Sequence, residues 1–429
     1  MYRYILESNY FCRITLGMMV MKMMTWRMGK TTTTTMQNLT SKFNLVCNRL
    51  AQYPPFNRYS DDEDTSYKIR RSATKLLAAI VGTRPELLTT LYKEVSPVLI
   101  SRFGDREETV RLEVWATYVV LLNQTAVYGG VPQQTKDSNG NNTASIGSGK
   151  RKRGSEEGLG SDVVEVEDKG TPMALLRAQV PALAKALLNQ LKSTKTAPPT
   201  LQAGFSLLHS LLVVLPGCLA GHVTPIVSTS KSILSQAPTT STSTLHLTCL
   251  SFLALFFSTH SPPAFSGSLP ILTPVLLKVL GERHPRVASE SFRVFSALLN
   301  AMKPVRNTDW ADRVYDEAAS RLSKNDTDAE VRSCAEDTIA DLWICATDIA
   351  KSKNKKEWES ICRTAGNTEG AVKVVTKVAK EVNISDQWVN GCVEWLMVLM
   401  RKSGRSGKTD VFNALETLLR RYAWFRFHS

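Results

Sequence analysis

The chain has no C-x-x-C pair. Its eight cysteines, at positions 12, 47, 218, 249, 334, 345, 362 and 392, are scattered. This excludes zinc ribbons and redox dithiols and fits reduced, buried thiols in a cytosolic or nuclear protein. The six histidines (209, 222, 246, 260, 284 and 428) never take H-E-x-x-H or any other ligand spacing. His209 and His246 fall within apolar helical stretches and read as core residues. Ser148-Gly149-Lys150 stops short of a phosphate-binding loop, because Ala144 and Arg151 stand where Gly and Ser or Thr are required. Asp61-Asp62-Glu63-Asp64 lacks the alternating spacing and the glycine of a calcium loop. It suits the start of a helix instead, where the dipole favours negative charge. No nucleophile stands with a base. The expectation is no enzyme, no cofactor, no metal and no small-molecule substrate.

Long apolar runs are also missing. No segment reads as the roughly 18 apolar residues that span a bilayer, and His246, Thr248 and Ser251 interrupt the most apolar stretch, Leu245–Phe257. Lys22 breaks the Met18–Met24 run, and no small-residue cleavage site follows it, so no signal peptide is read. The net charge of +14 invites a nucleic-acid reading. Arg3, Arg13, Lys22, Arg27, Lys30, Lys42, Arg49 and Arg58, against Glu7 alone, supply half of that excess. The remainder is spread without a basic stripe interleaved with aromatics. Such a field governs solubility more than choice of partner, and neither nucleic acid nor membrane is expected to bind.

What is present is a repeat. An acidic residue stands six positions before an Arg that follows a β-branched residue: Asp64 and Arg70, Asp105 and Arg111, Asp326 and Arg332. Apolar residues at helical spacing surround these pairs, as at Ile69, Ala73, Leu76, Leu77 and Ile80. Second helices of successive pairs start near Leu201, Leu245, Val287, Val331, Ala371 and Val411. The steps of about 40 to 44 residues are those of stacked HEAT or armadillo helix pairs. The fold class is therefore all-α: a helical-repeat solenoid of about eight pairs. Pro and Gly fall between helices, as at Pro216-Gly217, Pro262-Pro263 and Pro304, and Pro97 is expected to kink the helix that holds it. Each Asp ends an inter-helix turn and can cap the second helix. Each Arg, about two turns on, can reach the Asp of the adjacent repeat and fix register through a ladder of ion pairs.

The domain reading is HEAT repeats over 59–128 and 172–424, with two interruptions. Residues 129–171 are rich in Gly, Ser, Asn and charge and read as a disordered insertion. Lys150, Arg151, Lys152 and Arg153 within it form either a nuclear localisation signal or a solvated charge run. Residues 1–58 are low-complexity and poorly ordered, with a Met cluster and Thr31–Thr35. The aspartate codons GAT and GAC, read one base out of frame, give ATG and ACG, so this tract reads as a mis-framed acidic segment or as a tail. The expected location is cytoplasmic, nuclear or both.

Four runs are more specific than a generic repeat. They are Ser60-Asp61-Asp62-Glu63-Asp64-Thr65-Ser66-Tyr67-Lys68-Ile69-Arg70-Arg71-Ser72-Ala73, Thr83-Arg84-Pro85-Glu86-Leu87-Leu88, and Tyr92 to Phe103 followed by Arg106-Glu107-Glu108-Thr109-Val110-Arg111. Together they resemble the cullin-associated, neddylation-dissociated family of TATA-binding-protein-interacting scaffolds. Looser similarity runs through Gln179-Val180-Pro181, Val214-Leu215-Pro216-Gly217 and Lys303-Pro304 to Leu415–Tyr422. The resemblance implies a central portion of a HEAT superhelix that wraps an unmodified cullin and its RING-box partner. Such a scaffold competes with adaptor–substrate-receptor modules and drives their exchange in cullin-RING ubiquitin ligases, without enzyme chemistry. In that family an acidic tract precedes the matched block. The amino-terminal and carboxy-terminal repeats of the family look absent here, and no family binding residue carries over to a named position. The alternative is a generic HEAT scaffold of the nuclear-transport or phosphatase type.

Overall fold

Five hydrogen bonds between neighbouring repeats, two between side chains and three from side chain to backbone, span a nearly constant distance in sequence. Arg71 to Glu113 is 42 residues, Thr117 to the Thr74 carbonyl 43, Gln124 to the Gly82 carbonyl 42, Lys278 to the Ser235 carbonyl 43, and Ser296 to Thr338 42. Bonds of that constant span form only when equivalent helices of successive repeats lie side by side.

A computed structural model describes residues 66–130, 170–192, 196–239, 242–306, 308–323, 328–353, 368–382 and 386–428. All regular structure among them is helical. One row of helices consists of α1 (Ser66–Thr83), α3 (Glu108–Tyr128), α5 (Pro198–Val214), α7 (Ser243–Thr259), α9 (Pro285–Ala301), α11 (Ala329–Cys345), α13 (Thr368–Glu381) and α15 (Arg405–His428). Each packs on the next in that order. Behind it lie α2 (residues 85–101), α4 (Pro172–Leu191), α6 (Val223–Leu234), α8 (Leu269–Leu280) and α10 (Asp309–Ser323), also in sequence order. The short α12 (Thr347–Lys353) lies against α10 and α11, and α14 (Asp386–Lys402) against α15. This is the two-layer helical solenoid. The six second-helix starts read from the sequence all fall within the first two turns of α5, α7, α9, α11, α13 and α15.

Proline sets where many helices begin. Pro172, Pro198 and Pro285 sit in the first turn of α4, α5 and α9, where a missing N–H costs nothing. Thr171 caps α4 by accepting the Ala174 N–H at 3.3 Å. Gly217, at φ +77°, turns the chain after Pro216, a conformation that side-chain-bearing residues avoid.

Helix α2 is irregular: a 3-10 turn at Pro85–Leu87, an α turn at Leu88–Thr90, a π turn at Leu91–Val95, then α-helix over Ser96–Ser101. Pro97 explains it. The Ser96 N–H reaches back five residues to the Leu91 carbonyl. The next such bond, to the Tyr92 carbonyl, would need an N–H from Pro97, which has none. Gln179 of α4 donates its side-chain amide to that orphaned carbonyl at 2.7 Å. The same Gln179 accepts from Ser96 Oγ, which also bonds the buried Tyr118 hydroxyl at 3.0 Å. The irregular turn is thereby satisfied from the neighbouring repeat.

The core lies between the two rows. Phe103 meets Trp115 and Tyr118 edge to face in the first repeats, as Phe205 meets Phe252 and Phe257 meets Phe256 and Phe265 further along. Gly204 lets α5 approach α4 closely: a Cβ there would stand 2.5 Å from Leu191 Cδ2.

Three local expectations change. Ile69 and Leu76, read as part of the buried stripe of α1, are 56% and 54% exposed, because α1 is the first described helix of its row. The helix expected over 329–350 breaks at Ala346, where the preceding Cys345 carbonyl accepts the Val305 N–H at 2.8 Å. One apolar stretch does reach bilayer length: Pro262–Leu280, with a mean hydropathy of 1.4. It is divided by a 3-10 turn, and Leu272, Leu276, Val279 and Leu280 of α8 are buried among protein helices.

Candidate protein-docking surface

The sequence-derived ladder starts at Arg70. Its Nε and Nη2 donate to the two Asp105 carboxylate oxygens at 3.1 and 3.2 Å, across one repeat. Asp105 Oδ1 also accepts the Glu107 N–H at 3.0 Å, which orders the turn ahead of α3. The capping position of α3 is Glu107, not Asp105, and it makes no side-chain cap. Arg111 turns back on its own repeat and donates to the Asp105 and Arg106 carbonyls at 2.8 and 3.3 Å. In the third motif Asp328 caps α11, accepting the Glu330 and Val331 N–H groups, and Arg332 lies in the first turn behind it. Asp64 and Asp326 lie outside the described residues, as do Lys150, Arg151, Lys152 and Arg153, residues 1–58 and nearly all of 129–171.

Other charge pairs step from repeat to repeat. Glu113 of α3 takes Arg71 and Lys75 of α1 at 3.4 and 3.9 Å. Arg293 of α9 takes Glu290 on its own helix and reaches Glu330 of α11 at 2.8 Å. Lys377 of α13 reaches Asp341 and Asp337 of α11 at 2.9 and 3.6 Å. Glu108 of α3 accepts from Thr200 of α5.

Each interior helix of the first row is covered on three sides: by the helix before, the helix after and the second row. One side remains open. Seven residues are close to two helical turns, so that open side recurs as a stripe of period seven. It reads Thr109, Ala116 and Asn123 on α3; Pro199, Ser206 and Val213 on α5; Thr244, Ser251 and Ser258 on α7. It continues as Arg286, Arg293 and Asn300 on α9, Glu330 and Asp337 on α11, and Lys373 and Lys380 on α13. All are exposed except Ser251, which is half-buried. The surface is small and hydroxyl-bearing over α3 to α7, then banded positive, negative, positive over α9 to α13.

A groove of about 660 Å³ crosses this face. Ser206, His209 and Ser210 of α5 and Thr248 and Ser251 of α7 form one wall; Arg286, Glu290 and Glu330 close the other end. Burial lowers the His209 pKa below its ordinary value, so the ring is a neutral hydrogen-bonding group near pH 7. Thr248 donates back to the Thr244 carbonyl at 2.9 Å and keeps acceptor lone pairs for a partner. The face offers many shallow polar contacts spread over six helices. Among the described residues no group of three His, Cys, Asp or Glu side chains is placed to hold a metal. Cys249 is fully buried, and burial pushes its thiol up to about 12, away from nucleophilic use.

The sequence reading passed over this stripe. Its signal was present: polar residues seven apart within otherwise apolar helices, with one sign of charge per repeat. A basic run along the chain does not reveal it, because the charges gather across repeats and not along them.

A family model described as "CAND1-like, TPR repeats" matches residues 217–338, within the stretch where the family resemblance is looser. The chain is 33% identical over 280 residues to a cullin-associated NEDD8-dissociated protein 1 of Arabidopsis thaliana, covering 63% of this chain and 20% of that protein. It is 31% identical over 290 residues to a cullin-associated NEDD8-dissociated protein 2 of Rattus norvegicus, covering 66% and 20%. The chain thus spans about a fifth of the length of these relatives. Among solved structures it is similar to the karyopherin Kap121p bound to the extreme C-terminus of the protein phosphatase Cdc14p. There the TM-score is 0.49 and the identity 13%, over 87% of this chain and 35% of that one.

Proposed function

We propose that this chain, which resembles the cullin-associated NEDD8-dissociated proteins over about two thirds of its length, is a stretch of a non-enzymatic scaffold of that kind. Its partner in this reading is the cullin–RING-box core that carries no NEDD8. Holding that core excludes the adaptor and its substrate receptor, and release lets a different receptor enter, so the scaffold promotes receptor exchange in cullin-RING ubiquitin ligases. The similarity to relatives named for cullin association carries the reading. The continuous first-row face supports it, because a double row of helices presents a long surface without a catalytic pocket. Specificity arises by steric exclusion as much as by attraction. The site of action is the cytoplasm, the nucleus or both, with Lys150 to Arg153 as the nuclear address.

Purified cullin–RING-box core, with and without attached NEDD8, tests this. The chain is expected to bind the unmodified core, to lose binding once NEDD8 is attached, and to be displaced by adaptor–substrate-receptor modules. No binding to either form overturns the proposal. For the address, a fluorescent fusion in which all four basic residues become Ala is expected to leave the nucleus.

A further inference from the structure

We infer that the α9 to α13 part of the first-row face is the docking site for an acidic protein surface, held by Arg286, Lys373 and Lys380. The charges on this face are not equivalent. Glu330 is paired with Arg293, and Asp337 with Lys377. Glu290 shares Arg293, and Asp341 shares Lys377. Four carboxylates therefore share two cations, and this centre keeps an excess of negative charge. Arg286, Lys373 and Lys380 make no ion pair among the described residues, and all three are exposed. What the face shows a partner is positive charge at its two ends, with a centre in which carboxylates outnumber cations.

Helix stability does not account for Arg286. It stands in the first turn of α9, where the helix dipole disfavours a cation. It also closes the end of the hydroxyl-lined groove, beside Glu290 and Glu330. Lys380 is in the last turn of α13, where the dipole welcomes it; Lys373, one heptad earlier on the same side, gains nothing of that kind. Arg286 and Lys373, two of the four stripe cations on α9 and α13, thus gain nothing from the helix dipole where they stand.

The geometry bounds the partner. Neighbouring helices lie about 8 to 10 Å apart, so α9 and α13 stand about 16 to 20 Å apart across α11. A surface helix on the partner, rising 1.5 Å per residue, meets both ends with acidic residues about 11 to 13 positions apart. The centre, where Glu330 and Asp337 lie, accepts a neutral or basic residue. A nucleic acid fits less well. The heptad stripe carries no aromatic side chain on which a base could stack.

This inference rests on the scaffold reading only for the name of the physiological partner. The full chain is tested as wild type, as Arg286→Glu/Lys373→Glu/Lys380→Glu, and as a control with the same change in net charge on the other row, Lys93→Glu/Lys185→Glu/Lys231→Glu. The control residues are exposed on α2, α4 and α6. The probes are a fluorescent polyglutamate peptide, a DNA duplex and the cullin–RING-box core. The face variant is expected to bind polyglutamate at least about tenfold more weakly at low salt, and the control less than about twofold. The difference is expected to shrink as the salt rises to about 0.5 M. Parallel loss of cullin binding would make the cullin the acidic partner; unchanged cullin binding with lost polyglutamate binding supports the site and separates it from the cullin contact. Equal loss in both variants, no loss in either, or duplex bound more tightly than polyglutamate through these residues overturns the inference.

Discussion

Arg70 and Asp105 form a two-pronged ion pair across 35 residues, with the Asp105 side chain 4% exposed and the Arg70 side chain 24%. The carboxylate also holds the turn before α3 through the Glu107 N–H. Removing either partner strands the other. Arg70→Ala leaves a buried anion, and Asp105→Ala also frees the turn, so each is expected to cost about 2 to 4 kcal/mol. Arg70→Met/Asp105→Leu restores packing without charge and is expected to recover part of that loss. Hydrogen exchange over α1 and α3 checks this, because solenoid repeats open locally. Equal protection in wild type and Arg70→Ala would show that the pair contributes nothing.

That pair was legible in the sequence because its cause is periodic: an Arg two turns into one helix and an Asp before the next recur with the repeat. Repeat length and the order of first-row helices were legible for the same reason. The capping oxygen of α11 was not. Asp326 fits the spacing, yet Asp328 stands at the helix boundary, and only the boundary decides which carboxylate meets the free N–H groups. The exposure of Ile69 and Leu76 depends on which neighbours a helix has, which its own periodicity does not record. The docking stripe was hidden most deeply. An open side is defined by what fails to cover it, and its charge bands run across helices 40 residues apart in sequence.

Gln179 was noticed in the sequence only as part of a family-like run, and the structure gives it a specific task. Its amide satisfies the Tyr92 carbonyl that Pro97 leaves without a donor. Gln179→Leu keeps the volume and removes the bond. The Tyr92 carbonyl then loses its partner and the Ser96 hydroxyl keeps only Tyr118, an expected cost of about 1 to 3 kcal/mol. Adding Pro97→Ala supplies an N–H within α2 and is expected to offset part of the loss. Thermal unfolding of the two single variants and the double variant measures the coupling; purely additive effects would refute the link between the two residues.

Gly204 tests the closeness of the two rows. A methyl group at this position meets the Leu191 side chain at 2.5 Å, so the Leu must change rotamer. Gly204→Ala relieves chain entropy in the helix but overpacks the contact, with a net expected cost of about 1 kcal/mol. Gly204→Val cannot be absorbed by one rotamer change and is expected to cost about 3 kcal/mol. Leu191→Ala in the Gly204→Ala background opens the space and is expected to make the glycine substitution neutral. Denaturant midpoints for the set decide this, and a Gly204→Val chain as stable as wild type would contradict the close approach.

His260 links two repeats through a hydrogen bond that needs a neutral ring. Its Nε2 accepts the Leu219 N–H at 3.2 Å, while Nδ1 donates to the Phe256 carbonyl at 2.9 Å, and the ring stacks on Phe256. A proton on Nε2 would face the Leu219 N–H, donor against donor. Burial lowers the His260 pKa below its ordinary 6.5, although the bond to the Phe256 carbonyl opposes the shift. His209 and His246 shift the same way, also through burial. In the unfolded chain these rings take protons near pH 6.5, so below that value the unfolded state binds more protons than the folded one. Their contribution to stability is therefore complete above about pH 6.5 and is lost progressively as the pH falls towards the lowered folded values. Unfolding temperature is expected to be flat from about pH 8 to pH 7 and to decline below about pH 6.5. His260→Gln lacks the titrating ring; it is expected to lower stability at about pH 8 and to shallow the decline on the acid side. An unchanged acid slope in His260→Gln would assign the pH dependence to other groups and leave the Leu219 bond without a part in it.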